Sequence, residues 1–437
     1  MTMRIRILLG FLILGWTRIA GQQLYFPPLF SETWETLPPS TLGWCDERID
    51  SLYDLLEDNN TKAFIILKDG KIVLEKYFGT FQRDSIWYWA SAGKSLTSCL
   101  VGIAKQEGLL ELTDPTSQYL GDGWTACTPE QEAAITIWNQ ITMTTGLDDY
   151  VEENHCTLDT CLIYKADPGT RWAYHNAPYT LLDGVIAAAT GQSINTYFNQ
   201  KIRNQTGITG LFIPIDYNNV FFSTPRSMAR FGLWMLARGQ WNGTQVMTDT
   251  AYITQMTSTS QDLNKAYGYL WWLNGKESYM LPTLQFVFPG SLMPHAPDDM
   301  FSALGKNGQY INVVPSQNMV VIRMGNAPDG NEVPVTLNDE IWAYIQNLDC
   351  GTTATDDAQS SRDQLHVYPN PAAVDFTVNL PGETFDVHIY DLHGREVYNK
   401  TACFDHTQVP QLPASGIYIL SVVSGQNLRV VKVISQL

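Results

Sequence analysis

Charged side chains are scarce in this chain of 437 residues, and positive ones are the scarcer kind. Only 16% of the residues are charged, with 27 lysines and arginines against 44 aspartates and glutamates, so the formal charge is −17. This balance disfavours nucleic acid or an anionic membrane as a partner, because both are negatively charged. Since 44% of the residues are hydrophobic, the composition is that of a folded globular protein rather than a disordered one.

Long hydrophobic runs are also missing, with one short exception at the beginning of the chain. Arg4 and Arg6 precede an apolar stretch from Ile7 to Trp16, and small residues follow it. This pattern predicts a secretory signal peptide over residues 1–21, which is too short to span a membrane as a helix. Its removal takes away three arginines, the third being Arg18, and shifts the formal charge from −17 to −20. We expect no transmembrane segment in the mature chain.

Cysteine is infrequent, and its number, seven, is odd. Cys156 and Cys161 bracket only four residues, which predicts a small-loop disulfide worth roughly 2 kcal/mol in the chain-entropy description. The neighbouring His155 leaves a metal site open as an alternative, although no second pair of ligands lies nearby. Cys45 and Cys350 lie at the two ends of the main region and form a second candidate pair.

A serine and a lysine stand three residues apart, Ser91 and Lys94, where an apolar helix is predicted to begin. At this spacing both side chains lie on one helical face, so the amine can reach the hydroxyl. A serine is a poor nucleophile until a neighbour takes its proton. A partly buried lysine can do so, because desolvation favours its neutral form. A chance Ser-x-x-Lys match on the surface stays open on this pattern alone. The helix is predicted from apolar residues at helical spacing: Leu96, Leu100, Val101, Ile103 and Ala104.

Two further segments give that motif a context. Residues 63–74 form two apolar runs joined by Asp69-Gly70, which predicts a β-hairpin with an Asp-Gly turn upstream of the serine. Downstream, Tyr174-His175-Asn176 follows a Pro-Gly turn and precedes an apolar helix over 181–189, so its phenol can be held facing a cleft and be acidified by an ammonium. The Tyr-x-Asn pattern also occurs where we expect no site, beginning at Tyr197, Tyr217 and Tyr368.

With both motifs in this order, the chain resembles the serine β-lactamase-like hydrolases, in particular class C β-lactamases, carboxylesterases on that scaffold and 6-aminohexanoate-dimer hydrolases. The resemblance covers residues 45–348. It implies Ser91 as acyl-accepting nucleophile, Lys94 and Tyr174 as proton-transfer pair, and Asn176 as the group that orients lysine and substrate; which of the pair is the base stays open. No metal or organic cofactor is implied. Supporting stretches lie at 108–115, 135–147, 223–232 and 267–272.

The family's Lys-Thr-Gly element has two possible registers here. Lys306-Asn307-Gly308 fits Lys-x-Gly and would supply a cation for a substrate carboxylate. Alternatively, residues 305–309 resemble the Gly-x-x-Gly-Gln stretch of the nylon-oligomer and esterase relatives. In that preferred register the backbone N–H groups of Ser91 and Lys306 form the oxyanion hole, and Ala303 replaces the carboxylate-binding lysine. Gly305, Asn307 and Gly308 are then candidates for the substrate cleft.

Several aromatic side chains and one histidine have two interpretations. Trp271 and Trp272 either line an apolar cleft or belong to the core of a strand, and the same choice stays open for Tyr179 and Tyr267. His175 invites a Ser-His-Asp interpretation with Asp183 as its partner, but the middle side chain of a Tyr-x-Asn segment is expected to point away from the serine.

The end of the chain differs in composition. Residues 351–363 form a polar linker, and short β-type runs at 376–380, 385–390, 416–423 and 429–434 predict a small β-sandwich. This region resembles the C-terminal sorting domain of proteins that Bacteroidetes export by type IX secretion; a carbohydrate- or surface-binding sandwich is the alternative. The resemblance is carried by residues 367–371, 389–397 and 412–418.

Together these observations predict a two-lobed α/β penicillin-recognising-like fold: an antiparallel sheet flanked by helices, a mostly helical lobe, and the C-terminal sandwich. The predicted boundaries are 1–21 for the signal peptide, 22–350 for the hydrolase, 351–363 for the linker and 364–437 for the sorting domain. We expect an exported serine hydrolase of small-molecule esters or amides, secreted or surface-bound, whose tail meets the type IX machinery. A β-lactamase, a D-alanyl-D-alanine peptidase and a non-catalytic surface binder are the alternatives.

Overall fold

The computed structural model describes residues 24–327, 333–350, 365–368, 370, 372, 374–391, 394–425 and 427–435. The predicted signal peptide and linker lie outside the described residues, as do parts of the first two tail motifs. Across the described part of the chain, no helix is both long enough and apolar enough to cross a bilayer.

The main region is built around a six-stranded sheet in which all neighbours are antiparallel. Its order is β2 (Lys71–Tyr77), β1 (Thr61–Lys68), β13 (Met319–Gly325), β12 (Gln309–Val314), β11 (Phe301–Gly305) and β8 (Trp272–Leu273). The predicted hairpin is confirmed: Asp69 and Gly70 join β1 to β2 with φ of 53° and 82°, as a tight Asp-Gly turn requires. The strands of this region are β1 Thr61–Lys68, β2 Lys71–Tyr77, β3 Trp87–Tyr88, β4 Leu211–Ile215, β5 Asn218–Ser223, β6 Gln240–Trp241, β7 Thr244–Gln245, β8 Trp272–Leu273, β9 Ser278–Tyr279, β10 Phe288–Pro289, β11 Phe301–Gly305, β12 Gln309–Val314 and β13 Met319–Gly325.

Helices surround this sheet and form the second lobe. They are α1 Asp46–Asp58, α2 Gly93–Gln106, α3 Ser117–Leu120, α4 Pro129–Ala133, α5 Ile137–Ile141, α6 Asn176–Thr180, α7 Leu182–Thr190, α8 Ile194–Phe198, α9 Asn204–Thr206, α10 Pro225–Leu236, α11 Thr250–Met256 and α12 Val335–Gln346. A π-helical turn spans Asn199–Arg203, and 3-10 turns span Pro39–Leu42, Ala90–Ala92, Asp159–Cys161 and Pro315–Gln317.

Both faces of the sheet are covered. Gly232 of α10 approaches Ile311 of β12 so closely that an added Cβ would lie 3.2 Å from its side chain. The next residue, Asn312, points to the opposite face and exchanges hydrogen bonds with Asn338 of α12 at 2.8 and 3.0 Å. Because successive side chains of a strand alternate, α10 and α12 lie on opposite faces. The strands between them are therefore buried along their whole length, as continuous apolar runs predict.

Helix α2 is the element that connects the lobes. Every residue from Gly93 to Ala104 is buried, and the helix packs against α7 of the helical lobe and against β11 of the sheet. A helix buried on all sides has little freedom to shift, so it gives the residues at its beginning a rigid support. The predicted sheet flanked by helices and the predicted helical lobe are both confirmed.

The tail forms an antiparallel sheet with its own apolar core. The predicted runs 376–380 and 385–390 are one continuous strand, not two, because register shifts near Leu380 and Phe385 bend the strand without ending it. The curled sheet is consistent with the predicted small sandwich. Its strands are β14 His366–Tyr368, β15 Phe376–Tyr390, β16 Glu396–Val409, β17 Gly416–Ser424 and β18 Asn427–Ser435.

Candidate active site

Ser91 stands in a single 3-10 turn immediately before α2. Two hydrogen bonds from the residue before the turn hold it in place. Trp89 donates its backbone N–H to the Phe221 carbonyl at 2.8 Å and its indole N–H to the Ser223 hydroxyl at 2.7 Å. Ala90 has φ of 47°, a left-handed conformation that is unfavourable for a residue with a Cβ. Such strain persists only where the surroundings impose it, and it is concentrated at functional sites.

Lys94 lies one turn further along and is directed back at the serine. Its Nζ donates to Ser91 Oγ at 2.9 Å and to Asn176 Oδ1 at 2.7 Å, while the residue is only 4% exposed. The spacing of three residues brings the amine to the hydroxyl, as the sequence predicts, and the first residue of α6 supplies the amide. The structure thus brings Ser91, Lys94 and Asn176 together in one hydrogen-bonded group.

Two tyrosine rings flank the lysine. Lys94 Nζ lies 5.2 Å from the ring centroid of Tyr174 and 4.3 Å from that of Tyr179. Tyr174 is buried and stacks on Trp272, with ring centroids 5.7 Å apart. Burial raises the pKa of the Tyr179 phenol well above its usual range, so this ring stays neutral. The structure therefore adds Tyr179 to the neighbours of Lys94, a position that the sequence left undecided.

The end of β11 runs against the serine turn. A Cβ on Gly305 would lie 2.4 Å from the Trp89 carbonyl oxygen and 3.1 Å from the Ser91 nitrogen, so only glycine fits there. The next residue, Lys306, begins the turn to β12, and Asn307 donates from its amide to the Tyr88 hydroxyl at 2.7 Å. The close approach of Gly305 brings the end of β11 against the backbone of the serine turn.

The serine opens into a cavity of about 320 Å³ between the two lobes. Its wall combines aromatic and aliphatic side chains with amide groups and two lysines. No carboxylate lies among its lining residues in the described part of the chain. The lining residues are Tyr88, Ala90, Ser91, Lys94, His155, Asn176, Tyr179, Ile215, Asn218, Asn219, Val220, Phe222, Lys306 and Asn307.

The structure corrects four of the cleft predictions. Trp271 and Trp272 are 0% and 2% exposed and belong to the core, because Trp271 stacks on Phe231 and Trp272 stacks on Tyr174. Gly305 supports the serine turn without lining the cavity. Gly308 faces Arg323, whose guanidinium would lie 2.1 Å from an added Cβ.

His175 takes no part in a triad. It is 2% exposed and does not line the cavity, and neither ring nitrogen has a hydrogen-bond partner among the described residues. Burial lowers the pKa of this imidazole to about 4, so it is neutral at pH 7. Its suggested partner Asp183 accepts from Asn219 at 2.5 Å instead, and burial raises the pKa of that carboxyl to about 7.

His155 is one of the cavity residues that sequence reasoning did not place at the site. It comes directly before Cys156, which the structure joins to Cys161 by a disulfide; a second disulfide joins Cys45 to Cys350. Because both sulfurs of the small loop are bonded to each other, they are not available as thiolate ligands for a metal. No local pattern indicated that this loop reaches the serine, since the contact depends on how the helical lobe folds back.

Comparison with known families accounts for most of the chain. Residues 56–346 match the family described as Beta-lactamase, and residues 366–436 match the family described as Secretion system C-terminal sorting domain. The first match covers more than half of the chain and contains every residue of the site described above.

Individual relatives support the match to the Beta-lactamase family. An uncharacterised protein of Alkalihalophilus pseudofirmus is 26% identical over 318 residues, which are 63% of this chain and 88% of that protein. The 6-aminohexanoate-dimer hydrolase of Paenarthrobacter ureafaciens is 22% identical over 331 residues, 64% of this chain and 76% of that protein. The crystal structure of a family VIII carboxylesterase superposes with a TM-score of 0.53 at 15% identity, covering 72% of this chain and 99% of the other, and so supports the fold.

Proposed function

Because this chain belongs to the Beta-lactamase family and is a serine hydrolase, we propose that Ser91 attacks an ester or amide carbonyl and forms an acyl-enzyme. The observation that carries the proposal is the contact of Lys94 with both Ser91 Oγ and Asn176 Oδ1, at 2.9 and 2.7 Å. A hydroxyl that touches a buried amine is an activated nucleophile, and the cavity gives a substrate access to it.

The proposed reaction has two halves. As Ser91 Oγ bonds to the carbonyl carbon, its proton passes to Lys94 or Tyr174, and the tetrahedral intermediate expels an alcohol or amine that takes a proton from the same pair. Water then attacks the acyl-enzyme, gives up a proton to that pair, and releases the acid while Ser91 regains its hydrogen. Asn176 keeps the lysine aimed at the serine through both halves.

We assign the oxyanion hole to the backbone N–H groups of Ser91 and Lys306. The closeness of Gly305 to the Ser91 nitrogen supports this assignment, because it brings the following N–H of the chain to the same place. In this register Ala303 stands two residues before Gly305 on the same face of β11. A methyl group there leaves a substrate carboxylate without the cation that β-lactamases provide.

Apart from Lys94 and Lys306, the lining of the cavity is uncharged and suits a neutral acyl or leaving group. Val220, Phe222 and Ile215 form an apolar wall, and the amides of Asn218 and Asn219 can hydrogen-bond to an uncharged acyl or leaving group. A short acyl ester or a linear amide therefore suits this cavity better than a penicillin or a peptide ending in D-alanine, both of which carry a carboxylate.

Labelling with a fluorophosphonate probe tests the nucleophile. The purified enzyme is expected to take up the probe at Ser91, and Ser91→Ala is expected to lose it completely. A matched control is Ser95→Ala, which removes a buried hydroxyl that donates to the Leu270 carbonyl at 2.6 Å outside the cavity. Equal labelling of the wild-type enzyme and Ser91→Ala would refute the assignment.

A panel of substrates tests the substrate class. Hydrolysis of a short-chain nitrophenyl ester is expected to be much faster than hydrolysis of a chromogenic cephalosporin or of a D-alanyl-D-alanine peptide. Rapid cephalosporin turnover would favour the other register, in which the Lys306 side chain binds the carboxylate. An enzyme inert toward every substrate and toward the probe would instead indicate a surface binding protein on this scaffold.

The tail indicates where the reaction takes place. Residues 366–436 form a sorting domain, which indicates export by type IX secretion to the cell surface or the medium. We propose that residues 1–21 direct the first membrane crossing and that the sorting domain is removed during export. The mass and N-terminal sequence of the exported protein test both cleavages.

A further inference from the structure

His155 occupies a cavity position that the proposed reaction leaves without a role. It is carried by the segment that leads into the Cys156–Cys161 disulfide and lines the same cavity as Ser91. Its Nε2 lies 3.4 Å from the amide nitrogen of Asn176, and its Nδ1 lies 2.8 Å from Asn218 Oδ1. The imidazole thus bridges α6 of the helical lobe and β5 at the opposite cavity wall.

The direction of each hydrogen bond follows from the lysine. Because Lys94 Nζ donates, Asn176 turns its oxygen toward the lysine and its amide nitrogen toward His155. An amide nitrogen only donates, so His155 Nε2 offers its lone pair and the ring proton is on Nδ1. That proton in turn meets the Asn218 oxygen at 2.8 Å, which completes a chain of donors and acceptors.

We propose that neutral His155 is a positioning residue that fixes the amide of Asn176 and, through it, the aim of Lys94 at Ser91. This role rests on the proposed function of the site. A doubly protonated imidazole would present an N–H to the Asn176 amide nitrogen, and two donors facing each other repel. The amide would turn, its oxygen would leave Lys94, and the lysine would lose one of its two acceptors.

The electrostatic surroundings of His155 bear on this proton. Glu153 accepts the backbone N–H of His155 at 3.0 Å, and on the other side His175 lies within electrostatic range. The ammonium groups of Lys94 and Lys306 belong to the cavity wall. Asp183 lies behind Asn219, from whose amide its carboxyl accepts a hydrogen bond at 2.5 Å. Acidic and basic groups thus both surround this ring, and variants measure the consequence for activity.

Two substitutions of His155 separate its hydrogen bond with Asn176 from its hydrogen bond with Asn218. His155→Gln places an amide oxygen where Nε2 was, so it can accept from Asn176 without titrating. His155→Asn is shorter and matches the Nδ1 position, so it keeps the contact with Asn218 but does not reach Asn176. His295→Gln is the control for loss of an imidazole, because His295 is paired with Asp339 and does not line the cavity.

The readouts are kcat against a nitrophenyl ester from pH 5 to 9 and the rate of fluorophosphonate labelling. His155→Asn is expected to lower both about tenfold or more at pH 8, the usual effect of losing a hydrogen bond in a charged network. His155→Gln is expected to stay within about threefold of wild type at pH 8 and to fall less steeply toward pH 5, because its amide does not titrate. His295→Gln is expected to follow the wild-type profile.

Equal losses in the Gln and Asn variants, or no loss in either, would overturn the role of His155. Thermal unfolding measured in parallel identifies a variant that has lost its fold. If His155→Asn is unfolded, the comparison of wild type with His155→Gln decides the question, provided that His155→Gln keeps an intact melting curve. Failure of the wild-type enzyme to label would overturn the proposed function itself. Normal wild-type labelling with indistinguishable Gln and Asn variants would overturn only the inference about His155.

Discussion

In the proposed reaction, a single buried amine activates Ser91. Lys94 is 4% exposed and contacts both Ser91 and Asn176, and two aromatic rings lie within 5.2 Å of its nitrogen. Burial favours the neutral amine, whereas acceptors and ring faces favour the ammonium. In the proposed reaction this amine both accepts and returns a proton.

Removal of this amine tests its role. Lys94→Ala is expected to lower kcat/KM for an ester by about a thousandfold, within the range measured for general acid–base groups. The matched control is Lys105→Ala, on the last turn of the same helix, where the amine pairs with Asp249 at 3.0 Å. Lys105→Ala is expected to change kcat/KM less than about twofold; comparable losses in both variants would mean that α2, not the amine, had been damaged.

His175 makes the stability of the protein depend on pH. Burial lowers the pKa of this imidazole to about 4 from 6.5, so between these values the unfolded chain binds a proton that the folded protein does not. The contribution of His175 to the free energy of unfolding is therefore largest above pH 6.5 and falls by roughly 3 kcal/mol as the pH is lowered toward 4.

Denaturant unfolding at pH 7 and pH 4.5 measures this effect. His175→Leu is expected to lose less stability than wild type over that interval, because no titrating group replaces the imidazole. Asp183, whose pKa is raised to about 7 by burial, contributes in the opposite direction in both proteins and so cancels in the comparison. An unchanged dependence on pH would show that His175 is protonated in the folded state.

At the scale of elements, the site depends on the fit of one strand end against one turn. β11 ends at Gly305, and no Cβ can be accommodated between it and the serine turn without displacing backbone atoms. The strained Ala90 is held from the other side by the contacts of Trp89 with β5. The position of Ser91 is thus set by contacts from two strands, β11 and β5.

Adding one methyl group probes that fit. Gly305→Ala is expected to lower kcat by about a hundredfold, the loss typical of a damaged oxyanion hole, because the turn must move away. Gly93→Ala is the matched control, since its Cβ would meet Phe221 at an ordinary 3.4 Å in a helix that favours alanine. Full activity of Gly305→Ala would show that the strand end and the oxyanion hole are independent.

At the scale of the whole molecule, the chain has separate apolar cores. One core contains buried residues from Trp34 to Leu348, and another contains residues from Ala372 to Val433. The Cys45–Cys350 disulfide joins the two ends of the first region before the tail begins. The hydrolase core is therefore closed by its own covalent link, and among the described residues it shares no buried apolar residue with the core of the tail.

Truncation after residue 350 tests this independence. The shortened protein is expected to keep kcat/KM within about twofold of the full chain and to unfold in a single cooperative transition. In the native host it is expected to remain inside the cell envelope, because it lacks the sorting domain. A truncated protein that aggregates or loses activity would show that the tail stabilises the hydrolase.

The sequence by itself determined the features that depend on local spacing. A spacing of three residues at the beginning of a helix places Ser91 beside Lys94 in any fold that keeps the helix, and the Asp-Gly turn needs only its own backbone. Trp272, Tyr179 and His155 are different, because exposure depends on which segments pack over a residue from far along the chain. Only the tertiary structure put the tryptophan in the core and brought the histidine of a disulfide loop to the amide that holds the lysine.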